Sequence, residues 1–164
     1  MPPISNKAEG PWLHFERLLA EPFIKGRELT VAVLNGEAMC VTELQTKAGF
    51  YDYDAKYTDG LTTHICPADV PANIAQSMMD MAAAAHRLLG CKGISRSDFR
   101  WDDEIGEAGV YLLEVNTQPG MTPLSLAPEQ AKQRGIGYGE LVERLIAEAL
   151  GEAYQPETEE AAAR

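Results

Sequence analysis

Apolar residues recur along this chain with more than one spacing, and each spacing predicts a different element. Leu29 to Leu34 and Ala38 to Leu44 are short strand-like runs on either side of Asn35-Gly36. Asn-Gly supplies the positive φ angles of a type I′ turn, so these runs are expected to pair as a β-hairpin. Gly93 to Trp101 alternates, with Phe99 and Trp101 on one face and Arg96 and Asp98 on the other. Tyr111, Leu112, Leu113 and Val115 mark a further strand, expected to be buried on both faces or nearly so. Helical spacing appears from Pro71 to Leu89, where Ile74, Met78, Met81, Ala82, Ala85 and Leu88 or Leu89 form an inward stripe, Pro71 suits the first turn and Gly90 the end. It appears again from Glu140 to Leu150, with Leu141, Val142, Leu145, Ile146 and Ala149 inward, and in shorter form over Trp12 to Ala20 and Pro128 to Arg134. Gln45 to Thr63 has no helical period, yet holds Phe50, Tyr51, Tyr53 and Tyr57 with Lys47 and Lys56. A connection of that length with that many aromatics reads as a lid.

Chemistry concentrates in Tyr111 to Leu126, YLLEVNTQPGMTPLSL. Residues two apart on a strand share a face, so Glu114 and Asn116 project together while Leu113 and Val115 point the other way. If Asp102 to Gly109 closes a hairpin, Asp98 falls opposite Glu114, with Arg96 alongside. Asp98, Glu114 and Asn116 then form one group of oxygen ligands, suited to a hard cation such as Mg²⁺ that also takes phosphate oxygens and water. The same grouping reads equally as a solvated sheet face with a salt bridge. Glu28, just ahead of the first hairpin, is either a ligand for a metal or ribose or a charge at a strand edge. His86 is expected to be packed or exposed rather than a ligand, because no second histidine lies near it.

Composition narrows the classes. Lys plus Arg number 14 against 25 Asp plus Glu, a net charge of −11, which disfavours nucleic acid or an anionic membrane as partner. Cys40, Cys66 and Cys91 are odd in number, widely spaced and set among apolar residues, so neither a disulfide framework nor a zinc site is expected. With no signal peptide or membrane-length apolar run, the expected compartment is the cytoplasm.

The order of EPFIKGRELTVAVLNG, FYDYDAKY, GCKGISRSDF and LLEVNTQPGMTPLSL resembles the C-terminal half of the D-alanine–D-alanine ligase family of the ATP-grasp superfamily, over roughly Glu21 to Leu150. The resemblance implies an α+β fold: the C-terminal portion of an ATP-grasp domain, mainly antiparallel sheet with flanking helices and a lid loop. Residues 1–20 would be a partial N-terminal segment of the ATP-binding domain, 21–150 the C-terminal ATP-grasp domain, and 151–164 an acidic, disordered tail. It also implies an activity. Mg²⁺-ATP would phosphorylate the carboxylate of one D-alanine, and the amine of a second would attack the acyl phosphate, giving D-alanyl-D-alanine for peptidoglycan.

Carried over residue by residue, the family pattern makes Asp98, Glu114 and Asn116 ligands of two magnesium ions, replaceable by Mn²⁺, with Glu114 bridging. Arg96 and the backbone N–H of Gly120 would stabilise the charge that develops on the reacting group. Ser125 and Leu126 would receive the carboxylate of the second D-alanine. Glu21, Phe23 and Ile24 would line the adenine, Glu28 would bind the ribose, and Lys56 and Tyr57 would sit on the lid. The match also has a gap. The domain that helps bind the first D-alanine in complete ligases has no counterpart here, nor have the central lysines and Gly-rich loop that hold the ATP phosphates, so the chain is expected to need that other half. Docking to it, or self-association through exposed apolar surface, is the expected partner behaviour. Two other readings stay open: an inactive remnant that binds Mg²⁺-nucleotide weakly or packs on a partner, and a different ATP-grasp carboxylate–amine ligase. The PGMTPLSL segment, which corresponds to the second-substrate pocket of the D-alanine enzymes, speaks against the last.

Overall fold

The computed structural model describes residues 19–46 and 62–155. Strands β1 (Arg27–Leu34) and β2 (Glu37–Thr46) pair antiparallel across Asn35-Gly36, whose φ angles of 51° and 85° are the pair that a type I′ turn requires. The short strand β3 (Thr62–Ile65) adds to the outer edge of β2. On the other side of β1 lies β4 (Ile94–Trp101), followed by β5 (Val110–Asn116), giving an antiparallel five-stranded sheet in the order β3-β2-β1-β4-β5. The expected α+β architecture with a mainly antiparallel sheet and flanking helices is the one observed. A tight 3₁₀ segment (Asp103–Gly109) turns β4 into β5, and the Asp102 side chain accepts the Glu104 N–H at its start.

Side-chain alternation along β1 divides the core in two. Leu29, Val31 and Val33 face helix α1 (Ala72–Leu88) and pack with Ile74, Met78, Ala82, Phe99 and Trp101. Ala32 and Leu34 face the other way, against Ala127 and Ala131 of α2 (Leu126–Gln133) and Leu141 of α3 (Tyr138–Leu150). The first face of β1 is apolar along most of the strand, and the second only at Ala32 and Leu34. At the rim of the first layer, Arg27 makes a two-pronged ion pair with Glu43 (2.7 and 2.8 Å) and lies over the Trp101 ring.

Three expectations about burial need correction. β5 is an edge strand, paired only with β4, so Tyr111 and Leu113 are exposed rather than buried on both faces. Its register also shifts: Asp98 opposes Glu114 but Phe99 opposes Leu112, which leaves Leu113 as the extra residue of a bulge. The inward stripe of α1 runs Ile74, Met78, Ala82 and His86, a strict four-residue step that carries Leu88 and Leu89 out to solvent. On α3, Ile146 and Ala149 are exposed, because the helix seats only the flank around Leu141 and Leu145 against the body. Both ends of the Gln45 to Thr63 connection are strand, Gln45 and Thr46 closing β2 and Thr62 and Thr63 opening β3, and residues 47–61 lie outside the described residues, as does most of the Trp12 to Ala20 segment. Part of the tail is ordered: Gly151 closes α3 with a φ of 74°, and Arg144 lies 5.1 Å from the Tyr154 ring. Residues 156–164 lie outside the description.

Two buried polar side chains hold this frame. β1 and β2 fall out of register between Val31 and Val33. There the fully buried Gln130 accepts the Ala32 N–H at its Oε1 (2.8 Å) and donates from Nε2 to the Thr30 carbonyl (3.2 Å). Gln130→Leu keeps the volume but strands those backbone groups, and is expected to cost about 1–3 kcal/mol in urea unfolding; an unchanged midpoint would contradict this role. His86 is buried, with Nδ1 2.7 Å from Ser95 Oγ, and burial holds its pKa below 6.5 against the pull of Glu148. The unfolded chain binds the proton more readily, so stability is complete above pH 6.5 and falls as the pH drops through the folded value. Melting temperatures measured between neutral and mildly acid pH should decline less in His86→Gln than in the unsubstituted chain.

Candidate active site

The face of the sheet that α2 and α3 cover at its Ala32–Leu34 end turns polar farther along. On β4 the alternation places Arg96, Asp98 and Arg100 on this face, opposite Ala32, Thr30 and Glu28 of β1. On β5 the partners of Arg96 and Asp98 are Asn116 and Glu114. The cross-strand pairing of Asp98 with Glu114 expected from the sequence is thus present, with Asn116 two residues along the same face.

Asp98 is the most constrained of these groups. Arg96 donates to both its oxygens, Nε to Oδ1 and Nη2 to Oδ2, each at 2.8 Å. The single proton of the buried Thr30 hydroxyl is directed to Oδ1 at 2.7 Å, with the Ser97 carbonyl a more distant alternative acceptor at 3.1 Å. A carboxylate offers about four acceptor positions, and three are taken, leaving one on Oδ2. Asn116 Oδ1 accepts the Gln118 N–H at 2.9 Å, which orients the amide and leaves its oxygen a second lone pair. Glu114 is exposed. Among the described residues no three His, Cys, Asp or Glu side chains converge, so a cation here would rest on two carboxylates, one amide oxygen and oxygens from outside the protein. That donor set fits a hard cation that keeps water and phosphate ligands, and fits zinc poorly.

The residues expected to hold a nucleotide are drawn together by a side chain that the sequence reading did not single out. Arg100 donates from Nε to the Ile24 carbonyl (3.0 Å), approaches Glu28 at 3.4 Å and lies 5.5 Å from the Phe23 ring. Extending the Arg96, Asp98 alternation by one more step would have found it. Glu21 and Phe23 are exposed in the extended run before β1, and Glu28, Leu44, Gln45 and Arg100 line a cleft beside them. Thr30 was also missed, for a different reason: its hydroxyl meets Asp98 only because β1 and β4, distant in sequence, are neighbours in the sheet.

Gly120 and Ser125 also meet. A Cβ placed on Gly120 would lie 3.0 Å from Ser125 Oγ. Ser125 precedes the first residue of α2, and its Oγ accepts the Thr122 N–H at 3.1 Å. Leu126 opens α2 with its side chain buried, so it would present its backbone N–H rather than its side chain. Lys56 and Tyr57 lie outside the described residues. No helix among the described residues is long and apolar enough to cross a membrane.

Comparison with known proteins gives the family of the chain. The chain is 74% identical over 148 residues to D-alanine–D-alanine ligase of Sphingopyxis alaskensis, covering 90% of this chain and 48% of that protein. It is 71% identical over 148 residues to the Rhizorhabdus wittichii ligase, covering 90% of this chain and 47% of that one. The chain therefore spans about half the length of the curated relatives it matches. Among solved structures it is similar to D-alanine–D-alanine ligase from Bacillus anthracis, with a TM-score of 0.66 and 33% identity over 80% of this chain and 42% of that chain. The same ligase complexed with ATP aligns with a TM-score of 0.65 and 29% identity, over 79% of this chain and 40% of that chain. The family model described as D-ala D-ala ligase C-terminus matches residues 8–147, and the chain belongs to that family.

Proposed function

We propose that this chain supplies the metal-binding and phosphoryl-transfer wall of an ATP-dependent ligase that joins two D-alanines for peptidoglycan, working in the cytoplasm. The observation that carries this reading is the register of β4 against β5, which sets Asp98 opposite Glu114 and Arg96 opposite Asn116 on one face. Asp98, Glu114 and Asn116 would hold two Mg²⁺ ions, or Mn²⁺ in their place. Bound there, the ions would offset the charge of the transferring phosphoryl group and of the leaving oxygen.

The remaining roles fall to the chain's own groups. Phe23 and Ile24, braced by Arg100, would flank the adenine beside Glu21, and Glu28 would accept from the ribose hydroxyls. Lys56 and Tyr57 would close over the phosphates and substrate. Arg96 is already fixed by Asp98, so it would meet a developing oxyanion with little reorganisation, and the Gly120 N–H would be a second donor to it. Ser125 and the first N–H groups of α2 would take the carboxylate of the second D-alanine, as helix N-termini favour anions. Once one D-alanine carboxylate carries the phosphoryl group, the amine of the other attacks its carbonyl carbon, the C–N bond forms and phosphate leaves. The open end of this face would receive the remainder of the ligase.

Calorimetric titration with Mn²⁺ and a non-hydrolysable ATP analogue tests the site directly. Nucleotide binding should require the ion and should weaken sharply in Asp98→Asn. Thr30→Val removes the hydroxyl that orients Asp98, and is expected to lower Mn²⁺ affinity about 10–100-fold, as losing an outer partner of a metal ligand does. Thr30→Ser should restore it. Ion-independent binding, or full affinity in Asp98→Asn, would exclude this placement of the metals.

A further inference from the structure

Cys40 and Cys66 stand 26 residues apart in sequence, yet the fold brings their sulfur atoms to 3.7 Å. Cys40 lies on β2, within the stretch where that strand slips against β1, and Cys66 directly follows β3, the short edge strand that pairs with β2. Both side chains are partly exposed, so a small thiol reagent can reach them. Neither takes part in the site described above. At 3.7 Å the two sulfurs are in van der Waals contact, and a disulfide between them would bring them to about 2.05 Å.

We propose that Cys40 and Cys66 form an oxidisable dithiol, which a low-molecular-weight disulfide converts to an intramolecular bridge tying β2 to the end of β3. Hydrogen bonding between the two thiols holds Cys66 below the ordinary thiol range and Cys40 above it, so Cys66 takes the first step. The Cys66 thiolate attacks one sulfur of the oxidant, the oxidant's S–S bond breaks and one thiolate departs. Cys40 then loses its proton to that departing thiolate and attacks the Cys66 sulfur, expelling the second thiolate. Two protein thiols are oxidised by two electrons, and one disulfide is reduced to two thiols.

The test is incubation of the 164-residue chain with glutathione disulfide, followed by thiol titration of the unfolded product, intact mass and peptide mapping. The titre should fall from three free cysteines to one. The mass should drop by a pair of hydrogen atoms, one peptide pair should join Cys40 to Cys66, and dithiothreitol should reverse all of this. Cys40→Ser should stall as a glutathione adduct on Cys66, while Cys91→Ser should still close. A chain that keeps all three thiols overturns the proposal. So does a lasting glutathione adduct on the unsubstituted chain, or a bridge made through Cys91.

Discussion

Gly26→Ala is expected to lower the stability of this chain by roughly 3 kcal/mol, measured as a shift in the urea midpoint at constant slope. Gly26 has a φ of 98°, and a Cβ built there would stand 2.1 Å from the Trp101 carbonyl oxygen and 2.9 Å from Asp102 Cα. Both obstacles are backbone, so no side-chain rotation relieves them. Gly26 immediately precedes β1, whose first residue, Arg27, pairs with Trp101. Any relief must therefore separate β1 from β4 at the end where Glu28 and Arg100 meet. Gly36→Ala is the natural comparison: it also has a positive φ, 85°, but a Cβ there meets nothing within 4 Å. That substitution carries only the left-handed penalty of about 1–2 kcal/mol. Equal midpoints for the two variants would show that the contact with Trp101 does not constrain the strand.

Glu114→Gln is expected to act in the opposite way, with little effect on stability and a large one on chemistry. Glu114 is exposed on an edge strand, so its replacement by a side chain of the same shape disturbs no core packing. Chemically, the change is severe. In the site proposed above, the Glu114 carboxylate brings one negative charge to the cations, and an amide brings only a dipole. Because phosphoryl transfer depends almost wholly on positioning and charge, losing that charge should lower turnover of a ligase completed with the missing half by about 10³-fold or more. Melting curves of the two proteins should superimpose.

Much of this arrangement was legible in the sequence. Asn35-Gly36 between two strand-like runs dictated its own turn, and the alternation of Gly93 to Trp101, given a hairpin closed by Asp102 to Gly109, put Asp98 opposite Glu114. What local pattern missed depended on long-range neighbours. Nothing near Leu113 says that β5 lies at the sheet edge, since four apolar residues read the same in a central strand as in an edge one. Gln130 looks like an ordinary polar residue of a short helix until β1 proves to need a partner for Ala32. Cys40 and Cys66 meet only through the pairing of β2 with β3, and β3 emerges from a connection whose composition shows no strand. The Leu88 and Leu89 error has another origin: an apolar stripe can be continued to the last residue and cap of a helix, whereas the burial stops at His86. Roles such as those of Ser125 and Leu126 came from resemblance to a family, because two residues at the start of a short helix carry no such information alone.

The most direct test of the central claim is D-alanine-dependent ADP release by a chimera in which this chain replaces the matching half of the Sphingopyxis alaskensis ligase, to which it is 74% identical. The account predicts release that needs both Mg²⁺ and D-alanine, yields the dipeptide, and is lost in Glu114→Gln while the fold persists. A folded chimera that releases no ADP, or one whose release is indifferent to Glu114→Gln, would contradict it.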